Sequence, residues 1–415
     1  MAEKWGADKA EPESVGPPRR GLSPAQRARR KHNDRKRRVA RGLSLAALIV
    51  VTIGAVFLGS KLWHGLSDGD RGDYAGDGVA DVVIQVHDGD STTAIAETLR
   101  QNKVIATIKP FVTAAHNNEA IAAIQPGFYK LRTEISAANA VDRLADPANR
   151  VGKLTIPEGR QLDDIADVKT NAVTEGIFTL ISHASCVELD GKQQCVPTDA
   201  LRGAARSAPA DALSVPQWAS GPVAAMPDDH RRLEGLIAPG TWNVDPAASA
   251  QDILSTLIAQ SALVYTQGGL LETAAAMNLS PYQILTVGSL VQREAKPQDF
   301  DKVARVIYNR LAEPRKLEFD STVNYPLDRQ EVATTDADRA QVTPWNTYMS
   351  EGLPQTPICS PGVEALTAAE HPAAGDWLFF VTIDLQGTTL FTRDYDQHLT
   401  NIELAQQNGV LDSAR

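Results

Sequence analysis

The chain is poor in cysteine, with three residues in 415. Structural zinc sites usually take four Cys or His ligands, so this scarcity argues against a metal centre, and the sequence predicts neither a metal nor a cofactor. Basic residues are scarce after the first 41 positions. Residues 1–41 hold 13 Lys and Arg against 5 Asp and Glu, whereas the remainder holds 28 against 46. The acidic character of the chain after residue 41 argues against binding nucleic acid or another polyanion.

One long segment lacks charge. Residues 43–63 are apolar and carry no charge until Lys61, and about 20 such residues cross the core of a bilayer. No small-x-small cleavage site follows, so we predict a transmembrane helix and not a signal peptide. The basic residues 1–42 would stay as a cytoplasmic tail, and everything after residue 63 would be exported. We therefore expect a single-pass plasma-membrane protein with an extracytoplasmic body. The alternative, nucleic-acid binding by the basic run, is disfavoured by the adjacent spanning helix.

Export would place the cysteines in an oxidising compartment, which favours disulfide formation. Cys186 and Cys195 flank a polar, turn-like loop. We predict a local disulfide between them, which loop closure would make worth about 2–3 kcal/mol. Cys359 has no evident partner. We interpret it as a small buried thiol, with a nucleophile as the alternative.

After a Gly- and Asp-rich linker, residues 64–81, a strand–turn–helix pattern occurs twice at an offset of 70 residues. The copies are Ile84-x-Val86-x-x-Gly89 with Ile95-Ala96, and Leu154-x-Ile156-x-x-Gly159 with Ile165-Ala166. The first, in residues 82–150, resembles a LysM-like module, a small fold that binds amino-sugar polymers. The second opens another β/α unit, 151–231, whose residues 183–230 carry the cysteine pair and indicate an insertion or long surface loop. Both copies could equally be scaffold.

Residues 232–415 show helical periodicity and then a predicted hairpin around Gly387, so the exported part is predicted to be α+β, with a helix-rich last domain. One helix stands out. Ser280 and Pro281 have the positions of N-cap and first helical residue, and Gln283 completes a capping box. Glu294 ends the apolar face of this helix, just before Pro297. A carboxyl group there must pair with a cation or hold a proton.

Several motifs from residue 232 onward resemble the YceG-like family of endolytic lytic transglycosylases. They occur in the family's order over about residues 232–400, and the predicted membrane helix and LysM-like module also match the family's layout. The motifs are Leu233-Glu-Gly with Pro239-x-Thr241-Trp242, Ser289-Leu-Val-Gln-Arg-Glu294, Lys302-Val-Ala-x-Val-x-Tyr-Asn-Arg-Leu311, Asp320-Ser-Thr-Val-x-Tyr325, Trp345-Asn-Thr-Tyr348, Gly352-Leu-Pro354, Pro357-Ile358, Pro361-Gly362, Ala368-x-x-His371-Pro372, Leu378-Phe-Phe-Val381 and Phe391-Thr392 through His398.

The resemblance implies that Glu294 is the catalytic acid. The family often has a Glu-x-Glu pair at this point, but here the first position is Gln292, so only one carboxylate of this helix remains. Other residues offer polar groups for a sugar, although a structural role is as plausible for each. These candidate substrate contacts are Glu234, Thr241, Asn309, Asp320, Thr322, Tyr325, Asn346 and Tyr348.

The resemblance further implies a membrane-anchored lyase that cuts the MurNAc–GlcNAc β-1,4 bond of nascent peptidoglycan strands and leaves 1,6-anhydroMurNAc ends. Such cleavage would end strand elongation, and peptidoglycan synthases are possible partners. Two alternatives stay open. One is a muramidase that uses water, and the other is a non-enzymatic scaffold that binds peptidoglycan through its LysM-like module.

Overall fold

The computed structural model describes most of the chain that follows the predicted transmembrane segment. The described residues are 72–410, apart from 120, 122, 123, 328 and 331–333. The predicted cytoplasmic tail and transmembrane segment therefore lie outside the described residues, as does most of the linker. Within the described range, no helix is both long and apolar enough to cross a bilayer.

Residues 81–151 form a small module in which helices cover a three-stranded antiparallel sheet of order β1-β2-β3. Strands β1 and β2 pair from Asp81 opposite Arg132 to Val86 opposite Gly127. The module has its own apolar core. The elements, in chain order, are β1 (Asp81–Val86), α1 (Thr92–Gln101), α2 (Ile108–His116), β2 (Gly127–Arg132), α3 (Ala137–Ala145) and β3 (Arg150–Val151), with a 3-10 turn at Pro147–Asn149.

The first copy of the repeat folds as predicted. Gly89 has φ +74°, a left-handed conformation that glycine adopts without strain. Ser91 then caps α1 by accepting a hydrogen bond from the Ala94 backbone N–H at 3.2 Å.

The second copy differs from its prediction. β4 (Lys153–Ile156) and the Gly159 turn (φ +72°) form, but Ile165–Asp167 is a strand, β5, and not the expected helix. Ala166 pairs with Val173 and, in parallel, with Arg329. The Asp167 side chain accepts hydrogen bonds from the next residues, Lys169 and Thr170, a local turn that competes with helix formation.

The segment 183–230 is also more structured than predicted. Cys186 and Cys195 form the predicted disulfide, which closes a hairpin of β7 (Val187–Leu189) and β8 (Lys192–Gln194). Two helices follow, α5 (Thr198–Ser207) and α6 (Gln217–Ala224). Their Ala-rich sequences bury small apolar side chains in the main core. Composition alone therefore did not predict that this segment packs as ordered helices.

Most of the remaining elements contribute to one large apolar core together with this segment. Before the cysteine pair come β6 (Val173–Thr174) and α4 (Ile177–Ala184). The others are β9 (Gly240–Asn243), α7 (Ala250–Gln267), α8 (Leu270–Met277), α9 (Pro281–Glu294), α10 (Phe300–Ala312), α11 (Asp320–Asn324), β10 (Arg329–Gln330), α12 (Asp336–Arg339), α13 (Val363–Glu370), β11 (Phe379–Thr382), β12 (Thr389–Thr392) and α14 (Tyr395–Gln407), with 3-10 turns at His230–Leu233 and Pro297–Asp299. The described part is thus a mixed α+β fold, and the predicted hairpin is β11–β12.

Helix α9 is the buried axis of this core. Every residue from Ile284 to Val291 is buried, and α13 packs closely against it. A Cβ atom at Gly288 would lie 3.3 Å from Leu366 Cδ1, so glycine permits this approach. Cys359, also buried, lies against α9 and donates to the Ser289 backbone oxygen at 3.4 Å. A helix enclosed in this way is a rigid support for whatever stands at its end.

Candidate active site

Glu294 is the last residue of α9. The helix begins with the predicted capping box, in which Ser280 and Gln283 satisfy each other's backbone N–H groups. It ends because Ala295 is extended, with φ −137° and ψ +171°. Pro297 follows within one turn. The carboxyl group is therefore presented at a helix end, by a residue that is only half-buried.

The surroundings of Glu294 favour its protonated form. Burial of the carboxyl group is the largest effect, and with the negative charge of Asp320 it raises the pKa of Glu294 to about 7. Hydrogen bonding from Ser321 and the charge of Arg293 act in the opposite direction. The Ser321 hydroxyl is buried and makes no well-formed hydrogen bond, so we regard it as a weak donor. Near neutral pH the carboxyl group can therefore both give and take a proton.

Asp320, at the start of α11, has the opposite character. Burial disfavours its charge, but hydrogen bonds from Arg339 and Tyr348 outweigh burial and hold the pKa of Asp320 below its ordinary value. Arg339 binds both carboxylate oxygens, at 3.2 and 3.0 Å, and the Tyr348 hydroxyl donates at 2.7 Å. The Arg339 guanidinium also lies over the Tyr348 ring, 5.0 Å from its centroid. The site thus combines a neutral acid with a fixed negative charge.

Asn346 holds the loop that carries Tyr348. Its amide nitrogen donates to the backbone oxygens of Arg339 and Gln341 at 3.0 and 2.6 Å, and its amide oxygen accepts from the Tyr348 N–H at 2.9 Å. The side chain is buried. Asn346 therefore positions Arg339 and Tyr348 around Asp320. Direct contact between Asn346 and a sugar stays a prediction.

Two other predicted contacts have their side chains engaged within the protein. Thr322 is fully buried and shares a 2.9 Å hydrogen bond with Thr347. Asn309 donates to the backbone oxygens of Gly375 and Trp377, at 3.3 and 2.8 Å. These bonds fix loops around the site. Thr241, another predicted substrate contact, is exposed on β9.

Glu234 and Tyr325 form a separate, sealed pair. Glu234 Oε2 accepts from the Tyr325 hydroxyl at 2.7 Å and from the Leu162 N–H at 3.1 Å. Oε1 is buried and has no hydrogen-bond partner among the described residues. Burial raises the pKa of Glu234 to about 8. With 1% of its surface exposed, Glu234 joins the 151–231 unit to the later motifs and has no access to solvent.

Sequence reasoning missed Arg339 and Ser321. Arg339 lies in a polar stretch without a motif, and only the folded chain brings it to Asp320. Ser321 stands inside the Asp320-Ser-Thr-Val motif and could have been noted there. Within the described ranges, no three His, Cys, Asp or Glu residues gather in a way that would hold a metal ion.

The arrangement defines a class of site, a proton donor at a helix end beside an ionised carboxylate. Comparisons with known proteins give the family. The YceG-like family model matches residues 84–404, and the chain belongs to this family.

Two relatives and one solved structure are similar to it. The endolytic murein transglycosylase of Bacillus subtilis (strain 168) is 27% identical over 324 residues, 76% of this chain and 82% of that protein. The endolytic murein transglycosylase of Streptococcus pneumoniae serotype 2 (strain D39) is 25% identical over 293 residues, and this chain spans only 50% of its length. The crystal structure of a yceG-like protein from Listeria monocytogenes has a TM-score of 0.46 and 23% identity, covering 77% of this chain and 98% of that one.

Proposed function

We propose that the chain is an endolytic peptidoglycan lytic transglycosylase, a lyase that cuts the MurNAc–GlcNAc β-1,4 bond of nascent strands and ends their elongation. The observation that carries the proposal is the desolvated carboxyl group of Glu294, with a pKa near 7, at the end of a rigid helix. Family membership and the names of the two relatives support the substrate class.

A single carboxyl group suffices for this reaction. Glu294 would first protonate the glycosidic oxygen as the muramic sugar takes on oxocarbenium character. The resulting carboxylate would then accept the proton of the sugar's own 6-hydroxyl as that oxygen attacks the anomeric carbon. The product is a 1,6-anhydro ring, and no water is consumed. A pKa near the working pH serves both steps.

Asp320 would assist without forming a bond to the sugar. Its oxygens are held by Arg339 and Tyr348, so it is constrained as a fixed charge. That charge favours the protonated Glu294 in the resting enzyme. It would also stabilise positive charge developing on the sugar ring.

Asp320 also makes the muramidase alternative worth testing. Glycoside hydrolases commonly use two carboxyl groups, one as acid and one as base or nucleophile. The helix itself supplies only Glu294, but the fold brings Asp320 close enough to influence its pKa. A water-using reaction would leave reducing MurNAc ends.

Product analysis decides between these reactions. The full chain in detergent would be incubated with uncrosslinked glycan strands, and the released ends identified by mass spectrometry. We expect 1,6-anhydroMurNAc ends from the wild type, released about 10³-fold more slowly by Glu294→Gln. Reducing MurNAc ends alone would reject the lyase assignment in favour of a muramidase.

The scaffold alternative makes a different prediction, since it needs no acid. If the chain only binds peptidoglycan through the LysM-like module, neither the wild type nor Glu294→Gln releases any strand ends, and the two proteins bind strands equally. The LysM-like assignment is part of our proposal and is supported by the strand–turn–helix order of residues 81–101.

We extend the proposal to location. Residues 43–63 would anchor the chain in the plasma membrane, with residues 1–42 in the cytoplasm and the active site outside. Protease added to intact spheroplasts should then digest the body and spare the N-terminal tail. Association with peptidoglycan synthases is a further expectation, which crosslinking in cells followed by mass spectrometry would test.

A further inference from the structure

A cleft of about 650 Å³ separates the N-terminal module from α7, away from Glu294. The module contributes one wall, and α7 with the end of β9 contributes the other. The polar side chains that line these walls include Gln85, His87, Asp88, Asp252, Thr256 and Gln260.

The α7 wall is a regular polar stripe. Asp252, Thr256 and Gln260 are spaced by four residues, so they project from one helix face. All three are exposed, while the neighbouring Ile253 and Leu257 are buried and fix the helix on the core. Among the described residues, the side chains of Thr256 and Gln260 have no hydrogen-bond partner. The stripe therefore offers free donors and acceptors on a rigid support.

The two walls are held at a fixed separation. Arg150, at the end of the module, donates to Asn243 Oδ1 at 3.0 Å and to the Pro126 backbone oxygen at 2.9 Å. The Val244 N–H donates to the Gly152 backbone oxygen at 2.7 Å. Gly152 has φ +71°, and a Cβ atom there would lie 1.9 Å from the Val244 backbone oxygen. A cleft built on such contacts is preformed, which lowers the entropic cost of binding.

The lining has a clear chemical character. It contains no Lys or Arg, but amides, a hydroxyl, an imidazole and carboxylates lie beside the half-buried apolar residues Pro126 and Ala248. Arg150 lies beside the cleft, but its guanidinium donates to Asn243 and to the Pro126 backbone oxygen, and the lining itself offers no Lys or Arg to a phosphate or other polyanion. Hydroxyl and acetamido groups on a sugar would find hydrogen-bond partners, with apolar contact for the ring faces.

A two-stranded antiparallel ribbon, β4 and β9, extends from the cleft toward α9, the helix that ends at Glu294. β4 and β9 pair from Lys153 opposite Asn243, at the cleft, to Ile156 opposite Gly240. These four pairs extend about 13 Å. Beyond them, Gly159 lies against Gln292, since a Cβ atom there would be 3.5 Å from Gln292 Cγ. Gln292 is two residues before Glu294.

We propose that this cleft binds a segment of the same N-acetylated glycan strand, remote from the bond being cleaved. The inference rests on the proposed function, because an enzyme that cuts within a polymer must accommodate strand beyond the scissile bond. Exposed Thr155 and Thr241, paired across the ribbon, would lie along the path between the two sites.

Binding is tested in the full chain carrying Glu294→Gln, with fluorescent glycan strands freed of stem peptides. Thr256→Tyr would project a ring into the cleft and obstruct it, and Gln85→Ala with Gln260→Ala would remove two hydrogen-bonding groups. We expect affinity for long strands to fall about tenfold or more in each case. Matched changes on the same helix outside the cleft, Thr266→Tyr and Gln267→Ala, should leave affinity unchanged. Equal affinity in Thr256→Tyr and Thr266→Tyr, with thermal unfolding unaltered, would overturn the proposal.

Cleavage by the active enzyme separates this inference from the proposed function. In Thr256→Tyr, KM for long strands should rise about tenfold, whereas a short saccharide that reaches only the active site should be cut at the wild-type rate. An equal loss on both substrates would overturn the cleft. If the wild type cuts neither substrate while Thr256→Tyr still loses binding, the proposed function fails and the cleft stands.

Discussion

Glu234 and Glu294 have raised pKa values for the same main reason, and only Glu294 is in a position to do chemistry. Burial raises the pKa of Glu294 to about 7 and that of Glu234 to about 8. Glu294 is half-buried at a helix end beside an ionised Asp320. Glu234 is 1% exposed and hydrogen-bonded to Tyr325 and a backbone N–H.

The difference shows that desolvation identifies a candidate acid but does not assign its role. A proton donor must reach its substrate, and a neighbouring group must control its charge at the working pH. Glu294 meets both conditions, whereas Glu234 fails the first, because it is sealed from any substrate. The sealed acid instead links residues that are far apart in the chain. Three changes would break or sharpen this contrast.

The largest expected effect is on cleavage. Glu294→Gln keeps the size of the side chain and removes the proton that it transfers, so the cleavage rate should fall about 10³-fold, within the range typical of general acid–base groups. Glu234→Gln should change the rate less than about tenfold, because the amide can still accept from Tyr325. Rates would be measured as ends released from glycan strands.

Circular dichroism and strand binding serve as controls for both variants. Folding and binding should be preserved in Glu294→Gln. If Glu234→Gln lost as much activity while staying folded, the sealed acid would belong to the catalytic machinery and the contrast would fail.

The second effect is on stability and is specific to Glu234. Its pKa in the folded protein lies above its ordinary value of 4.5. Its contribution to the free energy of unfolding is therefore fully present below about pH 4.5 and is lost as the pH rises through about 8. The shift corresponds to a loss on the order of 3–5 kcal/mol across this range.

Denaturant unfolding from pH 5 to 8 would measure this loss. The stability of the wild type should decline relative to Glu234→Gln as the pH rises. The exposed Glu272→Gln variant is the control and should parallel the wild type. Parallel curves for wild type and Glu234→Gln would show that the buried carboxyl group does not titrate in this range.

Local chemistry made several elements predictable from sequence. Ser280, Pro281 and Gln283 specify the start of α9 through short-range hydrogen bonds, and Gly387 marks the β11–β12 turn. The cysteine pair is only nine residues apart. Such features depend on residues that are close together in the chain, so the residue types alone predict them.

Features that depend on long-range contacts were not predictable from local sequence. The helix predicted at Ala166 is replaced by a strand, which pairs with the nearby Val173 and with the distant Arg329. Asp320 and Arg339 come together only when the loop of Asn346 folds. The low-complexity composition of 183–230 hid two helices that bury small residues. Arg329, Arg339 and the main core all lie beyond the few neighbouring residues that a periodicity argument considers.

The smallest expected effect is a shift in pH dependence, and it tests how Asp320 tunes Glu294. The catalytic acid must be protonated in the free enzyme, so kcat/KM should be sustained below about pH 7 and fall as the pH rises through the pKa of Glu294. Asp320→Asn removes a like charge, which lowers that pKa and should move the alkaline limb about one pH unit lower. Tyr348→Phe removes a hydrogen bond to Asp320 but no charge, so its limb should stay near that of the wild type. If the alkaline limb does not move in Asp320→Asn, burial and not the Asp320 charge sets the pKa of Glu294. Glu294 and Glu234 would then differ only in their positions in the fold.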